Sequence, residues 1–204
     1  MEHNFNRVSL CGTVQTPPQL SHVNHNLAFC KFSLTIERLS GQFDTLQVIA
    51  SQEQLAETPL TVGETVTVTG QLRSFNNKSG TGSRLVISVF AHTLERGGEA
   101  PLNLICLSGI VCKQPTARQT PMGREICDVI LAVNRRYGRA DYLPCIAWGA
   151  VAQDVAAMHT GERLTVEGRV QSRLYTKREL TGSVQHTAYE VSIMRPAKVE
   201  EFLL

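Results

Sequence analysis

No stretch of the 204 residues approaches the roughly 20 consecutive apolar positions that cross a bilayer, and Met1-Glu2-His3-Asn4 lacks the basic-then-apolar pattern of an export signal. The six cysteines (Cys11, Cys30, Cys106, Cys112, Cys127, Cys145) form no C-x-x-C pair, so neither a zinc cluster nor a dithiol redox motif has a framework. Most of them sit in apolar runs and read as reduced, buried thiols of a cytoplasmic protein. Charge of one sign is also lacking: 20 Lys+Arg against 18 Asp+Glu leave a net of +2, which excludes a bulk polycation but not a local patch. G-x-x-x-x-G-K-[ST], H-E-x-x-H and G-x-S-x-G are all absent, and the six histidines are scattered. Without a nucleophile, an acid/base pair or a metal-ligand cluster, the expectation is a protein that is not an enzyme and needs no cofactor and no metal. What remains, 42% hydrophobic and 19% charged residues, is the composition of an ordinary globular chain.

What the sequence does contain is a repeat of itself. Val8-Ser9-Leu10-Cys11-Gly12-Thr13-Val14 reads like Ile105-Cys106-Leu107-Ser108-Gly109-Ile110-Val111, with the glycines 97 positions apart. The same offset aligns Cys30 with Cys127, Leu34 with Leu131, and Ile49-Ala50 with Ile146-Ala147. One inserted residue later, Gly63-Glu64 matches Gly161-Glu162, Gly70 matches Gly168 and Ser74 matches Ser172. An offset kept over separate segments means two copies of one domain. The polar Gly/Pro stretch Glu95-Arg96-Gly97-Gly98-Glu99-Ala100-Pro101 marks the seam, giving domains 1–96 and 102–204.

Within each copy the hydrophobic period is two. Thr65-Val66-Thr67-Val68-Thr69, Leu85-Val86-Ile87-Ser88-Val89 and Leu164-Thr165-Val166-Glu167 alternate and are rich in β-branched residues, as strands require. The exception in copy two is Gly149 to His159, where Val151, Val155 and Met158 recur at helical spacing and Thr160-Gly161 is expected to end the helix. Copy one has the weaker Gln52-Glu53-Gln54-Leu55-Ala56-Glu57. Five strands with a short helix between the third and fourth is the plan of an OB-fold, so the expected fold class is all-β, two tandem five-stranded Greek-key barrels. Gly12, Gly70, Gly109 and Gly168 fall mid-strand, where a small barrel bends.

The copies differ in chemistry. Residues 1–99 carry a net charge of −1 and residues 100–204 a net of +3, and Trp148 with all four tyrosines lies in copy two. On its third strand, Tyr142 and Trp148 are six residues apart and share a face with Pro144 and Ile146. On its fourth strand, alternation turns Glu167, Arg169, Gln171, Arg173 and Tyr175 outward together. Between the second and third strands run Arg135-Arg136-Tyr137-Gly138-Arg139, and beyond the fourth lie Lys177 and Arg178. Aromatic rings interleaved with cations suit single-stranded nucleic acid: rings stack unpaired bases while Arg and Lys track phosphates.

At these residues copy two resembles the bacterial single-stranded DNA-binding protein family. Thr120-Pro121-Met122-Gly123 looks like its T-P-x-G turn, Leu131-Ala132-Val133-Asn134-Arg135 like its second strand, and Gly161 to Arg173 like its G-x-x-V-x-V-E-G-x-L-x-x-R fourth strand. The resemblance implies a non-catalytic single-stranded DNA-binding protein acting in replication, recombination or repair. It places base-stacking aromatics at Tyr137, Tyr142, Trp148 and Tyr175. Copy one has Thr45 and Ser51 where copy two has Tyr142 and Trp148, and only Phe75 near the fourth-strand position, so its binding face reads as dismantled. The family's long tail with an acidic tip is not seen after Val199-Glu200-Glu201-Phe202-Leu203-Leu204, a variation similar to primosomal replication protein N. The alternatives are therefore a replication-restart interaction protein, whose partners would be other replication or restart proteins, or an RNA-binding OB protein. The family builds its unit from four OB-folds, so a chain with two implies a homodimer, with no membrane partner.

Overall fold

The computed structural model describes residues 5–77, 85–135, 138–179, 182–198 and 201, with the side chains of 174, 175, 177–179, 182, 184 and 186 left aside. Copy one forms β1 (Phe5–Val14), β2 (Gln19–Asn24), β3 (Leu27–Glu37), β4 (Phe43–Ser51), α1 (Gln52–Glu57), β5 (Thr65–Asn76) and β6 (Leu85–Arg96). Copy two forms β7 (Leu102–Val111), β8 (Thr116–Gln119), β9 (Glu125–Asn134), β10 (Ala140–Trp148), α2 (Ala150–Ala156), β11 (Arg163–Glu179) and β12 (Gly182–Pro196). The two orders, β2-β3-β4-β6-β5-β1 and β8-β9-β10-β12-β11-β7, are the same path, closed by β1 on β3 and by β7 on β9. The chain is all-β, with two tandem OB-folds.

Two expectations need correction. Each copy has a sixth, short strand, β2 or β8, because the segment after the first strand folds back as a hairpin on the second. In α2, helical hydrogen bonding ends at Ala157, and Gly161 instead donates its N–H to Val111 O (2.9 Å) in the turn into β11. Glu162 N–H bonds His159 O in the same turn, so Gly161 is not the helix terminator.

The repeat extends to register. Closure pairs Thr13 with Thr35 and Val14 with Leu34 in copy one, and Ile110 with Ala132 and Val111 with Leu131 in copy two. At closure the mid-strand glycines have a definite reason. A Cβ on Gly12 would lie 2.5 Å from Thr35 O, and one on Gly109 would lie 2.9 Å from Ala132 O, the matching position. A Cβ on Gly70 would approach Phe90 O to 2.1 Å, and one on Gly168, at a β-bulge, Ser192 O to 2.3 Å.

By contact the chain divides into two units, one built on Arg7–Arg73 with Ile87–Leu104, the other on Ile105–Leu204 with the segment Ser74–Val86. The first core holds Leu10, Phe32, Leu34, Leu46, Val66, Val68 and Val89. The second holds Ile105, Leu107, Leu131, Leu143, Val155, Val166 and Val191. Ile49, which reads as core from its pattern, is only half-buried and faces outward. The cysteines are unpaired, and four of them are buried. Burial pushes the Cys145 thiol far above its ordinary value, so it stays protonated as a core residue.

Candidate nucleic-acid interface

Along β10, Asp141, Leu143, Cys145 and Ala147 point inward, which turns Tyr142, Pro144 and Trp148 to the outer face; Ile146 shares their parity but is buried, at 3% exposure. Tyr142 is 54% exposed and Trp148 37% exposed. Six strand residues separate them by about 20 Å, room for several unpaired bases. Trp148 Nε1 donates to Ser192 Oγ at 3.2 Å, and Ser192 is held beside it because β12 runs parallel to β10 with Ile146 opposite Ser192. The indole's one polar group is thereby satisfied and its ring held in place, while part of its surface stays open to a ligand.

On β11, Leu164, Val166, Gly168 and Val170 are buried and Glu167 and Arg169 are partly exposed, as alternation requires. Gln171 departs from this expectation: although outward by parity, it is buried and donates to Glu190 Oε1 at 2.8 Å. Glu190, on the neighbouring β12, is itself buried, and a carboxylate there needs donors. Arg173, half-exposed, supplies a second contact, Nε to Glu190 Oε2 at 3.5 Å. On the same sheet Arg118 pairs with Asp128 at 2.5 Å, and the pair holds its guanidinium pKa up, with Glu190 adding to the effect. The surface cations are thus partly offset by carboxylates, and a phosphate must compete with them. Lys177 and Arg178 lie, like Tyr175, within β11 itself and not beyond it, because the strand continues to Glu179 against β12.

Arg135 stands apart from the other candidates. Its guanidinium bonds both oxygens of Asp141, a residue with no solvent exposure, across the β9–β10 turn. Copy one repeats the arrangement with Arg38 on Asp44 at the same 97-residue offset, although that copy lacks the aromatics. Its presence in both copies marks the pair as a brace for the hairpin. Arg139, exposed in the same turn, accepts the Arg135 N–H at its carbonyl and leaves its side chain on the surface. Arg136 and Tyr137 lie outside the described residues.

Beside Tyr142 the second unit holds the segment around Ser74. Tyr142 N–H bonds Ser74 Oγ at 2.8 Å, and Ser74 N–H bonds Asp141 Oδ1 at 2.5 Å. Phe75, Lys113, Ile130 and Tyr142 then line one shallow cleft. Phe75 is half-exposed and Lys113 exposed, so this end of β10 gains a second ring and a cation that spacing within copy two does not indicate. Among the described residues, no group of three or more His, Cys, Asp or Glu side chains is placed to hold a metal ion.

The family model of the single-strand binding protein family matches residues 102–197. That match makes the second copy similar to the single-strand binding protein family. A single-stranded DNA-binding protein of Halalkalibacterium halodurans is 34% identical over 85 residues, 38% of this chain and 51% of the relative. The chain spans about half the length of the first curated relatives it matches. A Thermus thermophilus single-stranded DNA-binding protein is 26% identical over 228 residues, covering 97% of this chain and 87% of that protein. Among solved structures, wild-type single-stranded DNA binding protein from Thermus aquaticus superposes with a TM-score of 0.74 at 24% identity, covering 96% of this chain and 93% of that one. That likeness is one of fold, and it extends over both copies. No helix among the described residues is long and apolar enough to cross a membrane.

Proposed function

We propose that the chain is a non-catalytic single-stranded DNA-binding protein acting in replication, recombination or repair in the cytoplasm, with domains 1–96 and 102–204 and most binding in the second. One observation carries this reading: Trp148, pinned to Ser192, and Tyr142 present ring surface on one exposed strand face. Bases stack on these rings, and Arg136, Arg139, Arg169, Arg173, Lys177 and Arg178 track the phosphates, with Tyr137 and Tyr175 as further platforms. Arg135 serves the site by holding the β9–β10 turn that carries Arg139. The names of the similar proteins support the ligand, and no step in the reading requires a cofactor.

Titration with poly(dT) tests it. Trp148 fluorescence quenches on binding, and log affinity falls against log salt with a slope near −0.7 per phosphate neutralised. Trp148→Ala removes the quench and costs about 1–3 kcal/mol of affinity without unfolding the protein. Absence of both a quench and a mobility shift overturns the proposal. Stronger competition by a matched RNA oligonucleotide would move the ligand to RNA.

A further inference from the structure

Copy one carries a row of rings that the equivalent-position comparison of the two copies passes over. His22 on β2 stacks on Phe29 of β3, centroids 5.1 Å apart and planes within 14°. Phe29 lies 5.5 Å from Phe90 of β6, and Phe90 lies 6.3 Å from His92, edge to face. Arg73 of β5 sets its guanidinium 5.9 Å from the centre of the Phe90 ring. Register puts the strand residues on one face: His22 is opposite Phe29, Phe29 opposite Ser51, Lys31 opposite Ile49, and Ile49 beside Phe90. His22 and His92 are exposed, and Phe29 and Phe90 half-buried, so the row belongs to the outer surface and not to the core.

The row occupies the place of Trp148. In copy two Trp148 is opposite Ile126 and bonded to Ser192; in copy one Ser51 takes the tryptophan's position, Phe29 that of Ile126 and Phe90 that of Ser192. Ser51 is occupied otherwise: its Oγ caps α1 by accepting from Gln54 N–H at 3.1 Å. The aromatic surface has therefore moved one strand to either side of the position where Trp148 stands in copy two. Cations flank it at Arg73 and Lys31, and neither β2 nor β3 before Glu37 carries a carboxylate. Burial and the charge of Arg73 hold the His92 pKa below its ordinary value, which favours its neutral ring.

We propose that His22, Phe29, Phe90 and His92, with Arg73 and Lys31, form a second single-stranded nucleic-acid site on copy one, stacking bases on Phe29 and Phe90 while the two cations hold phosphates. The proposal deepens the function above and rests on it only for the class of ligand. Rings without a base-pairing edge give it sequence tolerance, and the adjacent cations give it salt sensitivity.

Cross-linking of the full chain to oligo(dT) carrying 5-iodouracil, with the adducts mapped by peptide mass spectrometry, tests it. Adducts at His22, Phe29 or Phe90, alongside those at Tyr142 or Trp148, are expected. In the Trp148→Ala background, Phe29→Leu keeps an apolar side chain but removes the ring, and weakens oligo(dT) binding by roughly tenfold. Phe29→Tyr in the same background retains binding. Adducts confined to residues 102–197, or Phe29→Leu binding as tightly as its parent, overturn this inference while wild-type Trp148 quenching leaves the function above intact. Loss of all quenching and all adducts in the wild-type chain overturns both.

Discussion

At the scale of single residues, the same strand-end position solves two problems differently. Trp148 supplies a ring face and leaves α2 without a side-chain cap, its N-cap being Gly149. Ser51 gives up the ring and makes a full capping box with Gln54. The mid-strand glycines of β5 and β11 have no such latitude. A methyl group at Gly168 meets Ser192 O at 2.3 Å, and one at Gly70 meets Phe90 O at 2.1 Å, both backbone atoms that cannot rotate away. Gly168→Ala and Gly70→Ala each destabilise their barrel by more than about 1 kcal/mol, read as a lowered urea midpoint at unchanged slope. An unchanged midpoint would mean that the strands part without cost.

At the scale of elements, the paired hairpins β3–β4 and β9–β10 are each held by an arginine spanning six residues to a buried aspartate. Removing the cation leaves Asp44 or Asp141 charged and without its main partner, which costs about 3–5 kcal/mol. Arg135→Ala therefore lowers stability, whereas Arg139→Ala leaves stability unchanged and flattens the log affinity–log salt slope by about 0.7. Thermal unfolding together with a poly(dT) salt titration separates the two arginines. The reverse result, with Arg135→Ala fully stable and its salt slope reduced, would return Arg135 to the phosphate-tracking set.

For the whole molecule, two barrels per chain make a homodimer the simplest route to a four-barrel unit, and closed two-fold pairing is the usual form of such assembly. A particle of about 45 kDa by light scattering is the expected outcome for chains of 22.5 kDa. A particle of 22.5 kDa at micromolar concentration overturns the dimer. Occluded length on poly(dT) belongs to the same scale. If copy one binds, the number of nucleotides covered per chain shrinks when Phe29 is changed to Leu, and if it does not, the number stays constant.

The sequence by itself determined the duplication, the strand period of two, and the shared face of Tyr142 and Trp148. Each depends on spacing along one chain segment: alternation assigns faces, and a kept offset assigns copies. The same spacing could have revealed the brace, since Arg38 with Asp44 recurs as Arg135 with Asp141 at the copy offset. Run together with Arg136 and Arg139, however, Arg135 reads as one more surface cation, and only the buried aspartate opposite it shows its role. Gln171 escapes the spacing for a similar reason: parity gives the direction of a side chain, not whether a neighbouring strand brings Glu190 over it. The ring row of copy one draws on β2, β3 and β6, with Arg73 from β5. Its members are far apart in sequence and adjacent only through strand pairing. That adjacency depends on which strands neighbour one another and in what register, and the closed sheet decides both.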